Sequence, residues 1–309
     1  MANIYYVKVN INSEIYNVYK GYASISNIMD EVFEKINDEV DYVHTVVGHN
    51  KKNQRFEKED IYSFSELQKL KDDGKEYIIG KINRRYPIFT EEFDEETRKS
   101  KPIVIDNNSI SIQFYFDLKS EIITFCKRNK FGEKQFALGF EGLLNEIMRT
   151  QDFTIFLIKD PFSIEENLKL AHKIVKLKTI TVAPNANEEE LAELYDVDVK
   201  DMETANIHRK TSIFESSDKN KGLNINSKLI KSSLHLNKAY KNFQRGYGKL
   251  EFDAISEEGS EYHYDSDENS PFMTHINDDL KNNKEYFMKE SKIGIQRIIT
   301  KEIIEAYVK

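Results

Sequence analysis

The sequence has one cysteine, Cys126, and no tryptophan. A lone thiol closes no internal disulfide, which points to a reducing compartment rather than a stapled secreted fold. Cys126 lies inside an apolar strand pattern and reads as core rather than as a nucleophile. No stretch approaches the ~18–20 consecutive apolar residues that span a bilayer. Met1 to Lys20 alternate apolar and polar residues instead of showing the basic start and apolar run of a signal peptide. The expectation is a cytoplasmic protein.

Catalytic signatures are equally scarce. The chain has no P-loop, no GxGxxG, no GxSxG, and neither CxxC nor HxxxH spacing. Its seven histidines are scattered, none beside an evident nucleophile. The stretch from Tyr262 to Glu268 carries ligand-type side chains but lacks the central glycine and closing glutamate of an EF-hand. Catalytic residues therefore stay unassigned, and no metal or cofactor is expected.

Charge is unevenly placed. Residues 206–245 hold nine Lys/Arg and two acids, about +7 in a chain whose formal net charge is -8. Residues 250–280 hold ten Asp/Glu and no Lys or Arg. Segregation of this kind means that one block meets something outside, or that the two blocks meet each other. Within the basic block, Asn226 to Phe243 fits an amphipathic helix, with Leu229, Leu236, Tyr240 and Phe243 on one side. The cations Arg209, Lys210, Lys228, Lys231, Lys238, Lys241 and Arg245 form the candidate nucleic-acid-binding set, able to track a phosphate backbone. Arg84-Arg85 and Lys127-Arg128-Lys130 are supporting basic turns.

Periodicity predicts strands over Ile4–Ile11, Tyr42–Val47 and Glu76–Ile82, with a helix from Ser24 or Ser26 to about Ile36 and a short helix near Ser65–Lys71. Thr90–Asn108, acidic and then loop-like around Pro102, reads as a module boundary. Beyond it come a hairpin (Ser109–Phe116 with Glu121–Cys126), a helix over Glu133–Met148, strands at Phe153–Ile158 and Thr179–Val182, and a helix capped by Ser163. A hairpin from Tyr247 to Tyr264 and a final helix over Asn282–Val308, broken near Gly294, complete the chain. The implied fold is α+β, with ferredoxin-like β-α-β layers, up to two of them, and a C-terminal helix-hairpin-helix module. The implied modules are 1–100, 109–205 and 206–309. The final helix is apolar enough to serve as core or as a dimer face.

Several short motifs carry a resemblance. They are the opening strand with its Tyr5-Tyr6 pair, Gly80-Lys81-Ile82, the acidic turn around Phe93-Asp94, the hairpin FYFDLKSEIITF (114–125), the turn Ala183-Pro184-Asn185-Ala186-Asn187, and the helix-hairpin close at Gly246–Ala254. In this order they resemble a bacterial family found near phage-defence genes, in which the Pro-Asn turn has a basic residue before it and a second proline after it. More distantly, the helix and hairpin up to Ile276 are similar to the phage exclusion protein RexA. The resemblance implies a DNA-binding, often dimeric sensor that works with a separate, membrane-bound effector in abortive infection. It implies no catalytic residue.

The resulting expectation is a phage-defence protein that binds nucleic acid non-specifically, DNA rather than RNA, and forms a homodimer. Three other readings stay open. One is an RNA-binding protein or RNase with ferredoxin-like modules, using His208 with Arg209 or Lys210. Another is a protein-interaction subunit without nucleic-acid binding. The third is a DNA mimic, given the charge of about -15 outside residues 206–245.

Overall fold

A computed structural model describes residues 2–49, 55–72, 74–185, 198–218, 220–230 and 245–307. Among these, strand outweighs helix and every strand pairing is antiparallel. The larger sheet runs β12 (Met273–Ile276), β1 (Ala2–Ile11), β6 (Ile122–Cys126), β5 (Lys99–Asp117), β4 (Lys75–Asp94), β3 (Arg55–Asp72), β2 (Asp41–His49). A further strand, β7 (Phe153–Leu157), pairs with the second half of β1. This sheet curls into a half-barrel. The smaller sheet runs β11 (Glu261–Asp265), β10 (Gly248–Ile255), β8 (Lys173–Val182), β9 (Arg209–Glu215).

The central strand β1 shows why the larger sheet has two covered faces. After it the short helix α1 (Ile15–Tyr19) leads into α2 (Ile25–Lys35). Tyr5, Val7, Val9 and Ile11 join one core with α2 and with α3 (Glu133–Met148). Ile4 and Tyr6, of opposite parity, join a second core with the final helix. Alternation along a strand sends successive side chains to opposite faces, so a strand apolar at both parities belongs in the middle of a layered fold. On α3 the residues Phe136, Phe140, Leu143 and Leu144 are all fully buried. Phe136 stacks on Phe125 of β6 with centroids 3.8 Å apart and planes 9° apart. Gly139 and Gly142 let this helix lie directly on the rings of Tyr62 and Tyr42.

The ferredoxin-like expectation is overturned. The two strands joined by a β-α-β crossover pair or align in parallel, whereas among the described residues every pairing is antiparallel and β1 pairs with β6, β7 and β12. The meander β2–β6 and the long β3–β5 strands set the architecture instead. The helix expected near Ser65–Lys71 is the second half of β3. Its helix-forming residues are held extended by pairing Gln68–Asp72 with Ile79–Lys75. An irregularity between Ser65 and Gln68, with Glu66 at φ 53°, re-aims the strand there. The stretch expected as a loop over Thr90–Asn108 is a hairpin between β4 and β5, in which Pro102 lies opposite Glu91.

The C-terminal helix-hairpin-helix module is not formed either. The β10–β11 hairpin is built into the smaller sheet through β8, and β12 crosses into the larger sheet beside β1. Two further helices are α4 (Pro161–Leu170), expected from the sequence, and α5 (Asp198–Thr204). The cap of α4 is Asp160, accepting the Phe162 N–H, with Pro161 in the first turn, rather than Ser163. A single turn, α6 (Ser266–Asn269), follows β11. The final helix, α7 (Lys284–Tyr307), continues through Gly294, which faces the Tyr6 hydroxyl. Of the apolar residues of α7, Phe287, Ile295 and Ile298 are core. Cys126 also packs against that core, and burial pushes its thiol up to about 12. Among the described residues no helix is long and apolar enough to cross a membrane.

Candidate functional site

The candidate cations divide into two places, with a third group outside the described residues. Arg209 and Lys210 open β9, opposite Val182 and Thr181 at the end of β8. Arg245 immediately precedes Gly246 at that same end, where Gly248 pairs with Thr181. Lys228 lies at the other end. Two residues on, Ile230 is buried in the cluster that holds Ile174, and Leu223 donates its N–H to the Ile174 carbonyl at 2.7 Å. Eight residues of extended strand separate Ile174 from Val182, about 26 Å. Lys231, Lys238 and Lys241 lie outside the described residues, as does most of the amphipathic segment from Asn226 to Phe243. Arg84 and Lys130 do meet: Asp60 accepts Arg84 Nη2 at 2.6 Å, and the Lys130 carbonyl accepts Arg84 Nη1.

The acidic stretch shows how its charge is used. Strand β10 alternates strictly, with Leu250, Phe252 and Ala254 in the core of the smaller sheet and Lys249, Glu251 and Asp253 on its other face. There Glu251 meets Lys178 at 2.9 Å and also Lys249. Asp265 meets Lys134 at 3.2 Å and Lys249 at 3.7 Å. Glu268 meets Lys134 at 2.7 Å. Lys159, wholly buried, meets Asp267 at 2.9 Å and donates to the Gly248 carbonyl at 2.6 Å. Burial presses the Lys159 ammonium below its ordinary value, against the pull of Asp267 and Asp265. Asp253 pairs with His263, its cross-strand neighbour, at 2.6 Å. Sequence reasoning misses this lysine–carboxylate seam because its cations come from β7–α4, α3, β8 and β10 rather than from the basic block.

A second polar node adjoins the seam. Asn185 donates to the Val9 carbonyl and to Glu121, each at 2.7 Å, and accepts the Ile11 N–H at 2.9 Å. Glu121 in turn pairs with Lys8 at 3.0 Å. Asn10 donates to the Thr154 and Gly246 carbonyls, and Tyr247 donates its hydroxyl proton to the Asn185 carbonyl. Thus the opening strand, the 114–125 hairpin, the Pro184-Asn185 turn and Gly246-Tyr247 converge, although each looks like an isolated short motif in the sequence. Buried amides that bond backbone groups of other strands fix relative position, and this node clamps the two sheets together.

The seam predicts an acid response. For Asp265, burial alone would raise the carboxyl, but the Asp267 N–H, Lys249 and Lys134 together hold it below the ordinary value. Glu251 is lowered in the same way, its burial outweighed by Lys249 and Lys178. A folded-state value below the unfolded one means stability that is present above the unfolded carboxylate range and lost as pH falls through the folded values. Asp265→Asn is therefore expected to lower the urea midpoint at neutral pH. The difference from the native protein should shrink below about pH 4, near the unfolded carboxylate range. A difference that stayed constant from neutral pH down to about pH 3 would remove Asp265 from this account.

Fold and seam together define the class: a predominantly antiparallel two-sheet protein with helices on its larger sheet and ion pairs and buried amides between the sheets. The chain belongs to the family described as a domain of unknown function, DUF4747, whose model matches residues 3–292. No curated protein matches it. Among the described residues no group of three or more His, Cys, Asp or Glu side chains is arranged to hold a metal ion.

Proposed function

We propose that this protein is a cytoplasmic, non-specific nucleic-acid-binding protein whose contact surface is the basic segment 206–245, with Arg209, Lys210 and Arg245 at one end of the smaller sheet. One observation carries this reading. Six acids of the 250–280 stretch, Glu251, Asp253, Asp265, Asp267, Glu268 and Asp278, pair with Lys134, Lys159, Lys178, Lys249, His263 and Lys281. Among the described residues, none of these partners belongs to the basic segment. In these described pairs the acids are met from elsewhere in the fold, and the segment's net charge of about +7 suits a polyanion. A preference for DNA, a role in phage defence and a separate effector belong to the same proposal and rest on the resemblance to RexA-like proteins alone.

The test is a mobility-shift titration against duplex DNA, single-stranded DNA and RNA at two or more salt concentrations. Neutralising about five phosphates gives a log–log salt slope of roughly -4 to -5 on duplex DNA. Substituting Lys231, Lys238 and Lys241 together by alanine should remove about three of those contacts, reducing the slope by roughly 2 to 3. No shift at low salt would overturn the proposal and favour a protein-interaction subunit. An RNA-only shift would overturn the DNA preference.

A further inference from the structure

We propose that β2 is a self-association edge, pairing antiparallel with β2 of a second copy of this chain about a two-fold axis through Thr45. This proposal is independent of nucleic-acid binding. Strand β2 bonds to β3 along its whole length and, among the described residues, ends the larger sheet on that side. An unpaired edge presents a row of backbone donors and acceptors, and natural sheets blunt such edges with lysine, proline, bulges or short length. None of these devices is present on β2. It is nine residues long, its pairing with β3 has no register shift, and Tyr42 to Val47 contain no Lys, Arg, Asp, Glu or Pro. The edges of the smaller sheet differ. Strand β9 opens with Arg209 and Lys210 and closes with Glu215, and β11 has five residues with Glu261 and Asp265 at its ends, whereas the nine-residue β2 carries a single acid, Asp41 at its first position, which is paired with Arg85.

The exposed side chains select both the partner and the register. Val43, Val46 and Val47 are 48%, 40% and 50% exposed, high values for β-branched residues in a strand. Tyr42 packs beneath α3 at Gly142, so even-numbered residues face the helix side and Val43, Thr45 and Val47 the other. A two-fold axis perpendicular to the sheet keeps each face continuous and pairs residues of equal parity. Centred on Thr45, it sets Val43 opposite Val47 of the second copy, His44 opposite Val46, and Thr45 opposite itself. Centred one residue earlier, at His44, it would set Asp41 against Val47 and Val43 against Thr45. Only the Thr45 centre gives both Val43 and Val47 a valine partner on the face away from the helix. Cross-strand pairs of this kind are the unit of sheet stabilisation, and the larger sheet would continue from one protomer into the other.

A single strand pairing buries less than the standard stable interface, so association is expected in the micromolar range. Sedimentation velocity over about 1–100 µM should show a concentration-dependent dimer. Thr45 is exposed and points away from α3, so Thr45→Lys and Thr45→Glu leave the core untouched. Each variant alone places like charges directly opposite one another and should sediment as a monomer at every concentration. An equimolar mixture of the two should recover the dimer, because the introduced lysine of one copy then faces the introduced glutamate of the other. A native protein that stays monomeric at about 100 µM, dimers that persist in either single variant, or a mixture that stays monomeric would each overturn the proposal.

Discussion

Replacing Lys159 by methionine is expected to destabilise the protein by about 3–5 kcal/mol, the cost of leaving one member of a buried ion pair without its partner. The ammonium has no exposed surface and Asp267 is 14% exposed. Methionine keeps much of the apolar stem, so lost packing contributes little. What remains is Asp267 beside Asp265 in a poorly solvated seam, now with one cation fewer. The double variant Lys159→Met, Asp267→Leu removes both charges and should recover most of the loss, since an apolar pair of similar volume often replaces a buried ion pair at little cost. Urea unfolding of the native protein, Lys159→Met, Asp267→Leu and the double variant closes the cycle. A single-variant loss below about 1 kcal/mol would place the pair in the weakly contributing class of solvated surface bridges.

Gly139→Ala should destabilise by about 2 kcal/mol, although alanine is the better helix former by about 1 kcal/mol. A Cβ at this position would meet the Tyr62 ring, which is fully buried between α3 and the sheet. The ring also contacts Tyr42 and Phe131, with centroids 6.1 Å away in each case, so it has no free direction in which to move. Gly142→Ala should cost less, because Tyr42 lies on the edge strand and is only half-buried. In a Tyr62→Ala background the Gly139→Ala penalty should vanish or reverse. Additive losses there would mean that the glycine serves some purpose other than close approach to Tyr62.

These predictions depend on features that differ in how far the chain reveals them. Glu133–Met148 is legible to the residue because its apolar positions recur at helical spacing and are bounded by Gly132 and Arg149. Strand β10 is legible because its alternation is strong, and β1 because an aromatic, β-branched run from Ile4 alternates with Lys8 and Asn10. The second half of β3 is not. Its residues Glu66, Leu67, Gln68, Lys69 and Leu70 have good helix propensity, and only the partner strand makes them extended. The β4–β5 hairpin is hidden for a related reason: polar and acidic residues around a proline look like a linker until the opposite strand is in place.

The sites divide along the same line. Local sequence by itself determined the alternation that puts Lys249, Glu251 and Asp253 on one face of a strand, the concentration of positive charge in 206–245, and the absence of familiar catalytic or metal-binding motifs. It could not show that Lys159 would find Asp267, that Lys134 would find Asp265 and Glu268, or that Asn185 would join Val9, Ile11 and Glu121. Those partners lie 64 to 176 residues apart along the chain for Asn185 alone, and such pairings are set by the order of strands. Strand order follows from which apolar faces can be buried together, a property of the whole chain. Tertiary structure alone therefore decided which charges are neutralised inside the molecule, and left β2 as an unprotected edge among the described strands.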